Sequence, residues 1–194
     1  MGQAQGAFHD ALDAGKLHEQ MDSRSGGTGM AVLTVETPDG LKEFVGKEIG
    51  ASEWLVVKQE RINEFAEATE DRQWIHLDRE RAKRDSPFGR TVAHGFLTLS
   101  LISRFIKGVV QISRDTRLVI NYGLNRVRFP SPVFEGSKIR GRFTLLSFRE
   151  VGEAREAQFT CSVECEGCSK PCCVAEWIIR YYKQAADASG ESCG

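Results

Sequence analysis

A carboxylate and an imidazole stand five residues apart, at Asp71 and His76, in the stretch Ala68-Thr-Glu-Asp71-Arg-Gln-Trp-Ile-His76-Leu-Asp78. A His-Gly pair, His94-Gly95, follows at the start of a long apolar run that also carries Ser103. An imidazole titrates near neutral pH and can take and return a proton at little cost. In an irregular loop, a carboxylate and an imidazole at this spacing can converge on one water, which a rigid helix allows less readily. A backbone N–H at a helix start, such as that of Gly95, is a donor fixed in advance for an oxygen that gains negative charge. Glycine also lets a ligand come close to the backbone. Together these residues provide acid/base chemistry on water beside an oxyanion donor. Each has a plainer reading as well. Asp71 alone is an ordinary loop or capping residue, and His76 between Ile75 and Leu77 reads equally as a satisfied, half-buried histidine. Ser103 can bond back to a carbonyl one turn earlier, and His94 is taken as structural.

The elements that must hold these residues are legible from period and punctuation. Trp54–Val57 reads as a strand, and Gln59–Ala68 as a helix with Ile62, Phe65 and Ala66 on one face. Residues 69–77 break both periods. Asp78 can cap a charged helix that runs through Arg84 and ends in the turn Pro87-Phe88-Gly89. A second helix is predicted from about His94 to about Ile112, apolar on nearly every face and therefore surrounded. Strand-like runs follow at 118–129, 138–149, 153–166 and 172–183, which makes an α+β plan of a buried helix and an antiparallel meander. Asn63, Glu64 and Glu67 read as a solvated helix face. Arg126 and Arg128 alternate with Val127 and Phe129, where a phosphate-binding use competes with a plain exposed face.

At 194 residues the chain is sized for one domain with an extension. The expected division is an N-terminal extension over 1–43, partly flexible through the Gly/Ser-rich Ser23–Gly29, a domain over 44–183, and a tail over 184–194. A formal net charge of −1 gives no general pull toward nucleic acid or an anionic membrane. The apolar run 92–112 carries His94, Arg104 and Lys107, so it reads as a core helix and not a membrane span. The N-terminal segment shows no apolar core of the signal-peptide kind, and a soluble cytoplasmic protein is expected. Five of the six cysteines fall between Cys161 and Cys173. Their strand-period alternation with Val163 and Ala175 suits two strands joined by a turn at 167–171, and suits zinc poorly, so they read as free thiols and no metal is expected.

The same residues resemble a known family. Asp71, His76 and His94-Gly95, together with Asn121-Tyr-Gly-Leu-Asn-Arg-Val-Arg-Phe129 and Pro132-Val133, look like the MaoC-like dehydratases. These include the (R)-specific enoyl-CoA hydratases, and the likeness is greater to the nodulation protein N-like subgroup. It spans roughly 44–183 and implies a single hot-dog fold, an antiparallel sheet wrapped around a long central helix, in a homodimer or higher homo-oligomer. It also implies a hydratase/dehydratase acting on a trans-2-enoyl thioester of coenzyme A, with no cofactor beyond the coenzyme A of the substrate. By this resemblance Asp71 and His76 polarise the water, the Gly95 N–H binds the thioester oxygen, and Ser103 lines the site. The pattern departs at Gln73, where the family usually has Asn, and at Trp74, where it often has Pro. Both positions are taken as substrate-binding, with Trp74 forming a bulkier wall. Two other classes remain open, a hot-dog thioesterase and a non-catalytic acyl-thioester-binding or assembly subunit.

Overall fold

The computed structural model describes residues 32–183. Four long strands, β5 (Leu118–Arg128), β6 (Lys138–Val151), β7 (Ala154–Cys165) and β8 (Cys173–Tyr182), stand where the alternating runs predict them. With β2 (Glu48–Ala51) they form an antiparallel sheet of order β2-β6-β7-β8-β5, and the short β3 (Leu55–Val56) pairs with β6. In β7 the residues Ala157, Phe159, Cys161 and Val163 alternate inward and are fully buried, as the period-2 pattern requires. The cysteines in these strands serve as small core residues, Cys161 and Cys173 being fully buried.

On the inner face of the sheet lie α4 (Gly95–Ser100) and α5 (Ile102–Phe105), continued by a 3₁₀ turn at Ile106–Gly108. This central helix is shorter than its apolar run. Past Gly108 the residues Val110–Ile112 form β4, which pairs in parallel with β1 (Leu33–Val35). An apolar stretch does not by itself distinguish buried helix from strand, and the β-branched residues after the glycine favour the strand. The helix is also not surrounded on every side: Leu97, Leu101, Ile102 and Phe105 are buried, while Phe96 is 71% exposed.

A contact with no slack joins the helix to the sheet. A Cβ on Gly141 of β6 would lie 2.7 Å from the Cβ of Phe105 and 2.9 Å from Cε2 of Phe143. Only the missing side chain lets the helix settle onto the strand.

Three further helices precede this pair. These are α1 (Gln59–Thr69), the single turn α2 (Trp74–Leu77) and α3 (Arg79–Asp85), which Asp78 caps by accepting from the Arg81 N–H at 2.8 Å. The domain begins earlier than position 44. Val35 and Leu41 join the core, and a 3₁₀ helix at Pro38–Phe44 buries Pro38 and Leu41, so this part of the expected extension is packed domain. Proline at its start and the lack of a long period hid it from sequence reading. The Ser23–Gly29 linker and the 184–194 tail lie outside the described residues.

Gly141→Ala is expected to lower unfolding free energy by about 1–3 kcal/mol, because the clashing atom on Phe105 is a Cβ that cannot swing away. Urea denaturation checks this; an unchanged midpoint would show that the helix has room to shift.

Candidate active site

Asp71 and His76 are placed by how α1 ends. Glu70 takes the left-handed conformation, φ 61, and stops the helix. In this region a non-glycine residue costs about 1 kcal/mol or more. The reversal leaves Asp71 on the surface, its side chain 54% exposed, at the mouth of the loop that leads into α2.

His76 lies beneath, 7% exposed, and is held at three points. Its N–H donates to the Gln73 carbonyl at 3.0 Å, and its own carbonyl accepts from Gln59 Nε2 at 2.7 Å. Its ring Nδ1 lies 2.7 Å from the carbonyl oxygen of Val92. A carbonyl can only accept, so Nδ1 carries the proton and Nε2 is left with a free lone pair. The tautomer is therefore set by the backbone. Burial lowers the His76 pKa from its ordinary value, assisted by His94, against the opposing effects of the Val92 bond and the Asp71 charge.

His94 packs directly against it, the two rings stacked with centroids 3.7 Å apart, and the Phe65 ring lies tilted 5.1 Å from that of His94. Nε2 of His94 is 2.9 Å from the Asp71 carbonyl oxygen, so here Nε2 carries the proton and ties down the Asp71 backbone. The buried Nδ1 of His94 has no hydrogen-bond partner among the described residues. Asp71, His76 and His94 each offer one ligand-type atom within 4.8 Å of the other two. Two carbonyl-bound N–H groups are thus already committed, and the free lone pairs are those of the Asp71 carboxylate, His76 Nε2 and His94 Nδ1. The His94 nitrogen near the carboxylate is the proton-bearing Nε2, 4.0 Å from Asp71 Oδ2, so the groups with a lone pair to offer a shared water are the Asp71 carboxylate and the His76 ring.

A sequence profile described as the MaoC like domain matches residues 41–165. The chain belongs to the MaoC-like dehydratase family. It is 45% identical over 149 residues to the 3-hydroxyacyl-thioester dehydratase Z of Mycobacterium tuberculosis (strain ATCC 25618 / H37Rv), covering 76% of this chain and 97% of that one. Nodulation protein N of Rhizobium leguminosarum bv. viciae is 47% identical over 136 residues, 69% of this chain and 84% of that protein. Among solved structures, the unliganded R-hydratase PhaJ1 from Pseudomonas aeruginosa aligns with TM-score 0.61 at 22% identity, over 82% of this chain and 97% of that one. A monoamine oxidase regulatory protein from Archaeoglobus fulgius aligns with TM-score 0.64 at 21% identity, over 80% and 100%. These structural likenesses carry the fold, which is the hot-dog plan.

The MaoC-like domain brings together Asp71, His76 and the His94-Gly95 pair. Gly95 is the first residue of α4, so its N–H has no intrahelical acceptor. The group seen against its bare Cα is the ring of Phe129, whose carbons would lie 3.2–3.3 Å from an added Cβ. Ser103 stands apart from this cluster. It lines a cavity of about 450 Å³ with Val110, Asn121, Trp177, Ile179 and Tyr181. There Asn121 donates to Ser103 Oγ at 3.1 Å and accepts from Trp177 Nε1, which fixes its amide. Ser103 sits eight residues beyond Gly95, about 12 Å along a continuous helix. Gln73 is exposed and contributes its backbone carbonyl to His76, while the half-buried Trp74 lies under the Arg81 guanidinium at 4.5 Å. Arg126 is exposed and 3.9 Å from Glu176, and Arg128 donates to the neighbouring Val127 carbonyl.

His94, structural by sequence, has a specific structural part: it stacks on His76 and holds the Asp71 backbone. Gln59 does not stand out by sequence; it donates to the His76 carbonyl and accepts from Thr91 Oγ1 at 2.8 Å. Its signal was available, because Gln59 falls on the buried stripe of α1 with Ile62 and Ala66, and a polar group on a buried stripe needs partners.

A protonated His76 cannot accept a proton, so an activity that uses it as base is expected to fall as pH drops through its pKa. With that pKa lowered by burial, the acid limb of kcat/KM is expected below pH 6.5, the ordinary histidine value. The stability sign agrees: the unfolded chain takes the proton first, so stability is lost as pH falls from 6.5 toward the folded value. A pH-rate profile combined with imidazole NMR titration measures both, and a His76 titration above 7 would contradict the burial argument.

Proposed function

We propose that this MaoC-like protein interconverts a trans-2-enoyl thioester and its (R)-3-hydroxyacyl thioester, with coenzyme A as part of the substrate and no resident metal or redox cofactor. The observation that carries the reading is the locked His76 tautomer beside the Asp71 carboxylate. Two acceptors that share one water, each about 2.8 Å from its oxygen, stand roughly 4.4 Å apart, which suits carboxylate and imidazole atoms grouped within 4.8 Å. The water then lies between Asp71 and His76 Nε2.

In hydration, His76 Nε2 takes a proton as the water oxygen bonds to C3. The electron pair of the double bond moves through C2 to the thioester oxygen, where the Gly95 N–H stabilises the charge. His76 returns its proton to C2, the thioester carbonyl re-forms, and the catalyst is restored. Dehydration runs these steps backward. The names of relatives support this chemistry, among them a 3-hydroxybutyryl-CoA dehydratase of Methylorubrum extorquens (strain ATCC 14718 / DSM 1338 / JCM 2805 / NCIMB 9133 / AM1) at 32% identity. In this reading Ser103 and its cavity take the acyl chain, and Gln73 and Trp74 flank the entrance.

Asp71→Asn and His76→Gln should each lower enoyl-thioester hydration by about 10²–10⁴-fold with little change in thermal midpoint. The double variant should be little worse than either single one, since both groups act on the same water. Glu70→Gln should stay within a few-fold of the parent. Near-normal turnover by folded Asp71→Asn and His76→Gln proteins would remove the mechanism and favour a binding subunit.

We also infer a homo-oligomer built on a dimer. Strand β5 closes one end of the sheet order and exposes Leu118, Val119, Ile120, Tyr122 and Leu124, an unpaired apolar edge that a two-fold copy would cover. Sedimentation equilibrium should give a mass of at least twice 21.6 kDa at micromolar concentration; a stable monomer would contradict this.

A further inference from the structure

We propose that Cys165 and Cys168 form a reversible dithiol–disulfide modification site, oxidised by a small-molecule disulfide such as oxidised glutathione. Cys165 ends β7, and the Cys168 N–H donates to the Cys165 carbonyl at 3.0 Å across Glu166 and Gly167. With Gly167 at φ 76 in the third position, this is a β-turn of the type that needs glycine there. The ends of a β-turn lie within about 7 Å at Cα, and disulfides span about 4.4–6.8 Å, so the closed bond asks for little backbone movement.

The side chains converge as well. The thiols of Cys165 and Cys168 approach the same acceptor, the Glu166 carbonyl oxygen, at 3.8 Å and 4.0 Å. Burial, followed by the neighbouring Cys168, holds the Cys165 thiol above its ordinary pKa. Cys172 is close behind, fully buried, its thiol pushed up to about 12 by burial first and then by Cys165 and Cys168. Cys161 and Cys173 are sealed in the core. Only Cys168 of the five described cysteines is exposed, which makes it the point of entry.

The chemistry balances without any further reactant. The Cys168 thiolate attacks one sulfur of the oxidant, forming a mixed disulfide and releasing one small thiol. Cys165, deprotonated, then attacks Cys168 Sγ and displaces the second small thiol. The protein loses two electrons and two protons, and one disulfide is reduced to two thiols.

The test uses the full-length protein, treated with a series of oxidised-to-reduced glutathione ratios, quenched by alkylation and analysed by mass spectrometry. Oxidation should remove two of the six alkylatable thiols and lower the mass by two hydrogens. Fragmentation should place the bond between Cys165 and Cys168, and reduced dithiol should reverse it. In Cys168→Ser, an exposed and structurally mild change, all remaining thiols should stay alkylatable. A persistent glutathione adduct on Cys168, a bond to Cys172, or protection released by a chelator and not by a reductant would each overturn the assignment.

Discussion

The hydrogen bond from His76 Nδ1–H to the Val92 carbonyl decides what the rest of the site can do. It fixes which ring nitrogen is basic, in a ring that has one nitrogen within 4.8 Å of an Asp71 carboxylate oxygen. The bond depends in turn on Val92 being held in place. Val92 donates its N–H to Ile75 at 3.1 Å, and Ala93 donates to Val133 at 2.7 Å. The backbone that selects the tautomer is therefore itself braced by α2 on one side and by the segment leading into β6 on the other. A side-chain acceptor in place of that carbonyl would add a rotamer and, if carboxylate, a charge that raised the His76 pKa. The backbone carbonyl adds no net charge, and burial outweighs the upward effect of its hydrogen bond on the His76 pKa.

His94 links the two halves of this arrangement. Its ring covers His76 while its Nε2–H anchors the Asp71 backbone, and the residue after it begins the central helix. The Asp71–His76 loop and the start of the central helix are thus joined through a single side chain. The helix owes its own position to the close approach at Gly141, where the absent side chain admits Phe105. Packing at the sheet and chemistry at the loop are consequently parts of one rigid unit, with the exposed Asp71 carboxylate as its solvent-facing member.

Much of this was legible in the sequence because it rests on period and local chemistry. The four long strands followed from alternation, α1 from the stripe Ile62, Phe65 and Ala66, and the α3 cap from Asp78. Type, spacing and the family resemblance single out Asp71, His76 and His94-Gly95, which the structure brings together. What escaped depends on contacts distant in sequence. Gln59 is bound to residues 17 and 32 positions away, and no local pattern encodes such partners. The end of the central helix escaped because Val110 and Ile112 are as apolar in a strand as in a helix, and the pairing with Leu33–Val35 settles the choice. That pairing also explains why the packed domain starts before position 44, in a segment whose own sequence lacks a long period. The family resemblance groups Ser103 with the dyad, whereas its hydroxyl accepts from Asn121 and lines the cavity beside the sheet.

The central claim is that one water, held by Asp71 and His76, is added across an enoyl thioester. Its most direct test is the hydration of crotonyl-CoA by the purified protein, followed by loss of enoyl absorbance, with chiral analysis of the product. The account predicts enzyme-dependent formation of (R)-3-hydroxybutyryl-CoA with no release of free thiol. Folded protein that leaves crotonyl-CoA unchanged, or that liberates free coenzyme A in place of the hydroxyacyl product, would contradict it.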